Sequence, residues 1–124
     1  MLGNRKIMAF VPTKNPRRSR AFYEGVLGLR FVSDDAFALV LDANGIMVRI
    51  TKVSEMNAAP FTVLGWEVPR ITDTVAGLME KGVKFEMYGI TGQDDRGIWT
   101  APSGARVAWF KDPDGNVLSL TQFP

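Results

Sequence analysis

The sequence contains no histidine and no cysteine, so its chemistry must come from carboxylates, tyrosines, lysines, arginines and hydroxyl groups. Histidine is the usual general base near neutral pH and the commonest metal ligand, while cysteine supplies thiolates and disulfides. We therefore expect no transition-metal centre, no cysteine nucleophile and no redox switch. Tyr23 and Tyr88 are candidate acids or bases, but the sequence pattern indicates no pair of nucleophile and base.

Arg49 is the most informative charged residue, because it interrupts the apolar run of residues 46–50. A charge in such a strand must reach water or find a partner, since an unpaired buried charge is strongly unfavourable. One interpretation is a structural arginine that faces solvent or bonds Glu55, Glu67 or a backbone carbonyl. The other is a guanidinium that binds a carboxylate, phosphate or enolate. The sequence leaves both open.

The remaining charges are typical of solvated surface. The acidic pairs at 34–35 and 94–95 lie beside predicted turns, and the basic cluster at 14–20 is predicted to be one face of a helix. The net charge is only +2 and no basic stripe alternates with aromatics, so we expect no nucleic-acid partner. The apolar run before Pro12 is too short for a signal peptide or a membrane span. We therefore expect a cytoplasmic protein without a membrane partner.

Turn and helix signals predict the elements that position these residues. Helices are predicted after Asn15-Pro16, ending before Gly28, and after residue 70, ending before Gly82. Strands are predicted at residues 6–11, 29–33, 36–42, 46–51, 61–68, 83–88, 97–101, 105–110 and 116–123. Residues 53–60 lack periodicity and are the predicted linker. The 124 residues are thus expected to form one domain with a βαβββ module at 5–53 and a second at 61–123.

Two further patterns support this order. The segment 112–115 (DPDG) combines a proline that presets φ with a glycine suited to positive φ, which predicts a hairpin between the last two strands. The tetrapeptide at 28–31 (GLRF) matches the one at 82–85 (GVKF), and each ends a predicted helix and begins a strand. A duplicated supersecondary unit explains the matched residues together with the matched element order.

Residues 19–29 (SRAFYEGVLGL) and 111–116 (KDPDGN) resemble the helix signature and the terminal hairpin of the vicinal oxygen chelate superfamily. That group includes glyoxalase I, extradiol dioxygenases and bleomycin-resistance proteins. The resemblance implies an α+β fold in which two tandem βαβββ modules form curved mixed sheets around a cup. It also implies metal ligands at four floor positions, which fall here at about Met8, Arg49, Thr62 or Val63, and Ser119. None of these side chains is a good metal ligand, so we expect no metal and no cofactor.

Strand parity, counted from those four positions, predicts which side chains line the cup. The predicted ligand-binding residues are Met8, Phe10, Met47, Arg49, Thr62, Leu64, Trp66, Val117, Ser119 and Thr121, with Trp99 added from a neighbouring strand. Trp109 is a further candidate, whereas parity turns Glu67 to the opposite face. An apolar lining with few polar groups is typical of small-molecule pockets.

The sequence therefore predicts a metal-free binding protein of the glyoxalase/bleomycin-resistance type, which sequesters a small amphipathic or anionic aromatic ligand. The alternative is a metal-independent enzyme of the lyase or isomerase type, in which Arg49 stabilises an oxyanion. A fold whose cavity is filled by side chains is also left open. We expect a homodimer, because curved sheets leave apolar edges and two-fold pairs are the commonest way to cover them.

Overall fold

The computed structural model describes residues 1–124, which divide into two units, Met1–Asn57 and Ala58–Pro124. Each unit contains one four-stranded mixed sheet and one helical segment, and the strands follow the same order in both sheets. The predicted α+β class and the repeated βαβββ order are confirmed. None of the helices combines the length and apolar character needed to span a bilayer.

The first unit contains strands β1 to β4 and helix α1. Its bounds are β1 Met8–Thr13, α1 Pro16–Arg20, a π-helical continuation Ala21–Val26, β2 Arg30–Asp34, β3 Ala38–Ala43 and β4 Ile46–Lys52. The sheet order is β1-β4-β3-β2, with β1 parallel to β4 and the other neighbours antiparallel. Asn15 caps α1, since its side-chain oxygen accepts a hydrogen bond from the Arg18 backbone N–H at 3.2 Å.

The helical segment of the first unit packs on one face of its sheet. The Thr13 and Ser19 hydroxyls lie 2.6 Å apart and are buried, and Tyr23 is fully buried. The same sheet face carries the buried residues Val11, Leu39, Leu41, Val48 and Ile50. Side chains alternate between the faces of a strand, so the intervening residues of β1 and β4 point away from the helix.

The second unit repeats this arrangement. Its bounds are β5 Thr62–Glu67, α2 Ile71–Glu80, β6 Trp99–Thr100, β7 Arg106–Lys111 and β8 Val117–Gln122. The sheet order is β5-β8-β7-β6, and β5 is parallel to β8. Ile71 and Val75 of α2 are fully buried, and the Gln122 side chain accepts a hydrogen bond from the Ile71 backbone N–H at 2.9 Å. These contacts fix α2 against β7 and β8.

One predicted strand end and one predicted strand are wrong, for identifiable reasons. Strand β1 continues through Pro12 to Thr13, because β1 lies at the edge of its sheet and tolerates a residue without an N–H. Residues 83–88 form no named strand, only an isolated bridge between Phe85 and Phe110 and a hydrogen bond from Glu86 N–H to the Trp109 carbonyl. The Gln93 side chain accepts a hydrogen bond from the Tyr88 backbone N–H and donates one to the Glu86 carbonyl. These two bonds position the segment, which lacks the backbone hydrogen bonds of a strand pair.

The turn between β7 and β8 is the predicted one. The buried Asp112 carboxylate accepts hydrogen bonds from the backbone N–H groups of Asp114 and Asn116, both at 2.9 Å, and from the Asn116 side chain at 2.8 Å. Gly115 adopts a φ of 85°, which is unfavourable for other residues. This closed network sets the strand register, in which Lys111 faces Val117 and Trp109 faces Ser119.

Candidate functional site

The face of the first sheet that points away from its helix carries an exposed apolar surface around one charge. We call it the first open face and define it by Met8, Phe10, Met47 and Arg49. The register places Met8 beside Met47 and Phe10 beside Arg49, so these four residues share a face as parity predicts. Phe10 is 60% exposed, Met8 45% and Met47 39%, which leaves much apolar surface in water.

Arg49 lies in the middle of this face, between Phe10 on β1 and Val40 on β3. It is partly buried and forms no salt bridge, either with Glu55 or with any other carboxylate of its unit. The pKa of Asp35 is lowered by hydrogen bonds from the Ala38 and Phe37 backbone N–H groups and, to a smaller degree, by the charges of Arg49 and Lys52. Arg49 thus influences an ionised carboxylate without contacting it, and its guanidinium donors stay available to an anion.

The second sheet differs from the parity prediction because its parallel pair contains a register shift. Thr62 pairs with Val117, but after a bulge Leu64 pairs with Leu118 and Trp66 with Leu120. Leu64 and Trp66 therefore lie on the helix-covered face rather than beside Ser119, where parity placed them. The Trp66 ring stacks on the fully buried Phe110 ring, with centroids 6.5 Å apart. In this structure Trp66 is partly exposed and packs on the core residue Phe110.

The same shift brings other residues beside Ser119. Gly65 pairs with Ser119 and Glu67 with Thr121, so Glu67 lies on the face from which parity excluded it. A Cβ built on Gly65 would lie 2.7 Å from the Ser119 hydroxyl oxygen, which shows how closely the two strands approach there. Thr62, Val117, Ser119 and Thr121 share this side of the sheet as predicted.

Aromatic rings occupy the other half of this surface, which we call the second open face and define by Tyr88, Trp99, Trp109, Ser119 and Thr121. Trp109 pairs with Ser119, and Trp99 with Val107 on the same side of the sheet. The Trp99 and Trp109 centroids are 6.0 Å apart, and Tyr88 meets Trp109 edge to face at 5.3 Å. The Trp99 indole N–H donates to the Thr91 carbonyl at 3.1 Å. Three rings thus form a partly exposed row with a fixed geometry.

Two polar groups stand at one end of this row. Burial raises the pKa of Tyr88, and the neighbouring Glu86 carboxylate acts in the same direction while Lys111 opposes it. The phenol is therefore protonated at neutral pH and acts as a hydrogen-bond donor. The Lys111 ammonium lies 3.4 Å from a Glu86 carboxylate oxygen, and both side chains are partly exposed.

The four positions that the resemblance implies for metal ligands do not fit a metal ion. They carry a methionine, an arginine, a threonine or valine, and a serine, and the residue beside Ser119 on β5 is Gly65. A guanidinium repels a cation, and a neutral hydroxyl is a weak ligand compared with a carboxylate or an imidazole. No group of three or more His, Cys, Asp or Glu side chains is gathered anywhere in the structure. These four positions therefore do not supply the donor set of a metal site.

Some residues of the second open face were missed in the sequence, although a signal for them exists. The DPDG turn predicts an antiparallel pair, and counting back from it places Lys111 opposite Val117 and Trp109 opposite Ser119. Strand parity alone makes Trp109 a secondary candidate and does not select Lys111. The sequence indicates Tyr88 only as a candidate acid or base, because its place beside Trp109 depends on an irregular segment that has no periodic pattern.

The repeated βαβββ topology, with one four-stranded mixed sheet in each unit, matches the vicinal oxygen chelate fold. The sequence matches the model of the Glyoxalase/Bleomycin resistance protein/Dioxygenase superfamily over residues 7–120, and the chain belongs to this family. No curated protein matches the sequence.

Solved structures with the same fold include proteins described as binding proteins and as enzymes. TnmS3, an antibiotic binding protein from Streptomyces sp. CB03234, is 22% identical with a TM-score of 0.76, over 100% of this chain and 99% of that one. Lactoylglutathione lyase from Agrobacterium tumefaciens is 13% identical with a TM-score of 0.76, over 98% and 96%. A glyoxalase family protein from Enterococcus faecalis is 20% identical with a TM-score of 0.71, over 94% of each chain. At these identities the likeness shows the fold.

Proposed function

We propose that this protein binds and sequesters a small amphipathic aromatic molecule without a metal ion, and that the second open face contacts the aromatic part of the ligand. The observation that carries the proposal is the row of Tyr88, Trp109 and Trp99, whose rings stay partly exposed on the side of the sheet away from α2. Exposed, mutually supported rings offer a flat ligand a rigid stacking surface at little entropic cost.

The polar side chains beside the aromatic row supply the amphipathic part of the proposal. Thr121, which is partly exposed, places a hydroxyl group beside the aromatic row, where it can orient a polar substituent, while Ser119 is largely buried beneath the row. Within the first unit, Arg49 of the first open face is separately proposed to bind an anion, because its guanidinium forms no salt bridge. The antibiotic binding described for TnmS3 supports a binding role within this fold.

The enzymatic alternative has less support from the titratable groups. An isomerase or lyase that uses Arg49 for an oxyanion also needs a group that gains and loses a proton near neutral pH. The pKa of Asp35 is lowered and that of Tyr88 is raised, so the first stays ionised and the second stays protonated. Neither is tuned for proton transfer at neutral pH, whereas binding requires no such group.

A pair of matched tryptophan variants tests the binding proposal. Phenylnaphthylamine, a neutral fluorescent probe, is titrated against the parent protein, Trp109→Leu and Trp66→Phe. Aromatic contacts contribute about 0.5–1.5 kcal/mol beyond area burial, so Trp109→Leu should weaken binding roughly two- to tenfold. Trp66→Phe should bind like the parent, because Trp66 packs on Phe110. No saturable binding, or equal binding by Trp109→Leu, would overturn the proposal.

A further inference from the structure

A cavity of about 460 Å³ opens at one end of the second open face. It is lined by Ala58, Ala59, Pro60, Tyr88, Lys111, Gly115 and Val117. Its volume falls within the range of small-molecule pockets in proteins. Tyr88 joins the cavity to the aromatic row, since the same ring contacts Trp109 at 5.3 Å. A ligand that stacks on the row can therefore extend into the cavity.

Only two side chains of this lining are polar, and both can donate hydrogen bonds. Lys111 is the only charged residue of the lining, and its ammonium group has three donors but one carboxylate neighbour, Glu86, at 3.4 Å. The Tyr88 hydroxyl makes no hydrogen bond within the protein, although its backbone N–H is bonded to Gln93. The walls formed by Ala58, Ala59 and Pro60 are apolar or carry backbone only. Among the side chains of the lining, the only charge is positive and the only other polar group is the Tyr88 hydroxyl.

We infer that this cavity is an anion subsite, which takes the carboxylate, sulfonate or phenolate end of the aromatic ligand on the Lys111 ammonium and the Tyr88 hydroxyl. The inference rests on the proposed function and adds the charge of the group that enters this end. Raised pKa keeps the Tyr88 hydroxyl protonated, so it donates to an anion at every pH near neutrality. A cation would be repelled by the Lys111 ammonium, and a purely apolar group would displace water from both donors without replacing its hydrogen bonds.

Glu86 should weaken the binding of an anion at this cavity. Its carboxylate lies outside the lining but pairs with Lys111 at 3.4 Å, so it competes with an incoming anion for the same ammonium. It also disfavours a second negative charge beside Tyr88. Glu86→Gln should therefore strengthen the binding of an anion and leave the binding of a neutral analogue unchanged. A merely structural Lys111–Glu86 pair predicts no such gain.

The test compares anilinonaphthalene sulfonate with neutral phenylnaphthylamine, two probes that share their rings and differ by the sulfonate. The parent should prefer the sulfonate, and Lys111→Met should weaken that probe alone by about tenfold, since a charge-assisted hydrogen bond contributes roughly that factor. Lys111→Arg should restore most of the preference and Tyr88→Phe should lose part of it. Lys81→Met, an exposed lysine outside the cavity, is the matched control.

The outcomes separate this inference from the function on which it rests. Saturable binding of both probes with equal affinity, or a preference for the sulfonate that survives Lys111→Met, would overturn the subsite and leave the proposed function standing. Binding of neither probe would overturn both. The preference should also shrink as ionic strength rises in the parent but not in Lys111→Met, because exposed charges are screened by salt. An equal salt response in the two proteins would count against Lys111.

Discussion

Arg49→Met separates a ligand-binding arginine from a structural one, because it should affect stability and anion binding in opposite directions. Methionine keeps an unbranched apolar stem between Phe10 and Val40 while it removes a charge that forms no salt bridge. Exposed or partly exposed ion pairs contribute at most about 1 kcal/mol, and here no pair is lost. We expect the free energy of unfolding to stay equal or to rise by up to about 1 kcal/mol, since a partly buried unpaired charge is unfavourable.

Binding of an anionic ligand should respond in the other sense. A hydrogen bond to a charged group contributes about 1.5–3 kcal/mol, and solvent at a partly exposed site favours the lower figure. Arg49→Met should therefore weaken aromatic carboxylates or phosphates by about tenfold. The affinities come from quenching of tryptophan fluorescence across a panel of such compounds, and the stabilities come from urea unfolding followed by circular dichroism.

Arg70→Met provides the matched control, because Arg70 is a highly exposed arginine whose nearest carboxylate, Asp73, lies 3.9 Å away. It should leave both quantities unchanged. If Arg49→Met lowered the free energy of unfolding by about 2 kcal/mol or more, Arg49 would have a structural role, because losses of that size follow the removal of a buried hydrogen-bond network. Equal binding of every hit by Arg49→Met and the parent would refute the assignment of Arg49 to an anion.

Three further outcomes are expected. Elemental analysis of dialysed protein should find no stoichiometric Zn, Fe, Mn or Ni, because the four implied ligand positions offer no suitable donor set; one retained metal per chain would contradict this. Light scattering at micromolar concentration should give the mass of a dimer, since Phe10, Phe37 and Phe61 are largely exposed, and a monomeric mass would count against it. Hydrogen bonds from the backbone lower the pKa of Asp35 below its usual 3.8 in the folded state. The ionised carboxylate therefore stabilises the fold above that pH, and this stabilisation is lost as the pH falls through the lowered value. Asp35→Asn should reduce this loss of stability in acid, measured as the midpoint of urea unfolding at several pH values.

The sequence carried enough information for the fold because local signals agreed with one another. The DPDG turn, the helix stops at Gly28 and Gly82 and the strand after the first tetrapeptide agree with the structure, whereas only an isolated bridge follows the second tetrapeptide. Both glycines adopt positive φ, at 80° and 91°, which is why a helix ends there. These features depend on residues close in sequence, so they can be interpreted without tertiary contacts.

The face assignment of β5 failed because it depends on a contact between distant segments. Parallel strands have no hairpin turn to fix their register, so the shift between Thr62 and Leu64 has no local signal. The alternation within β5 does indicate the observed faces, because Leu64 and Trp66 are apolar whereas Gly65 and Glu67 are not. This alternation, rather than the residue count from Thr62, predicts that Trp66 packs on the helix-covered face.

The three tryptophans allow the central claim, that a small aromatic ligand binds on the second open face, to be tested in one measurement. Each indole N–H gives one resolved cross-peak in a proton–nitrogen correlation spectrum, and single Trp→Phe variants assign them. On titration with phenylnaphthylamine, the peaks of Trp99 and Trp109 should shift saturably, while the peak of Trp66, on the opposite face beside Phe110, should stay in place. No shift at all, or a shift confined to Trp66, would contradict the account.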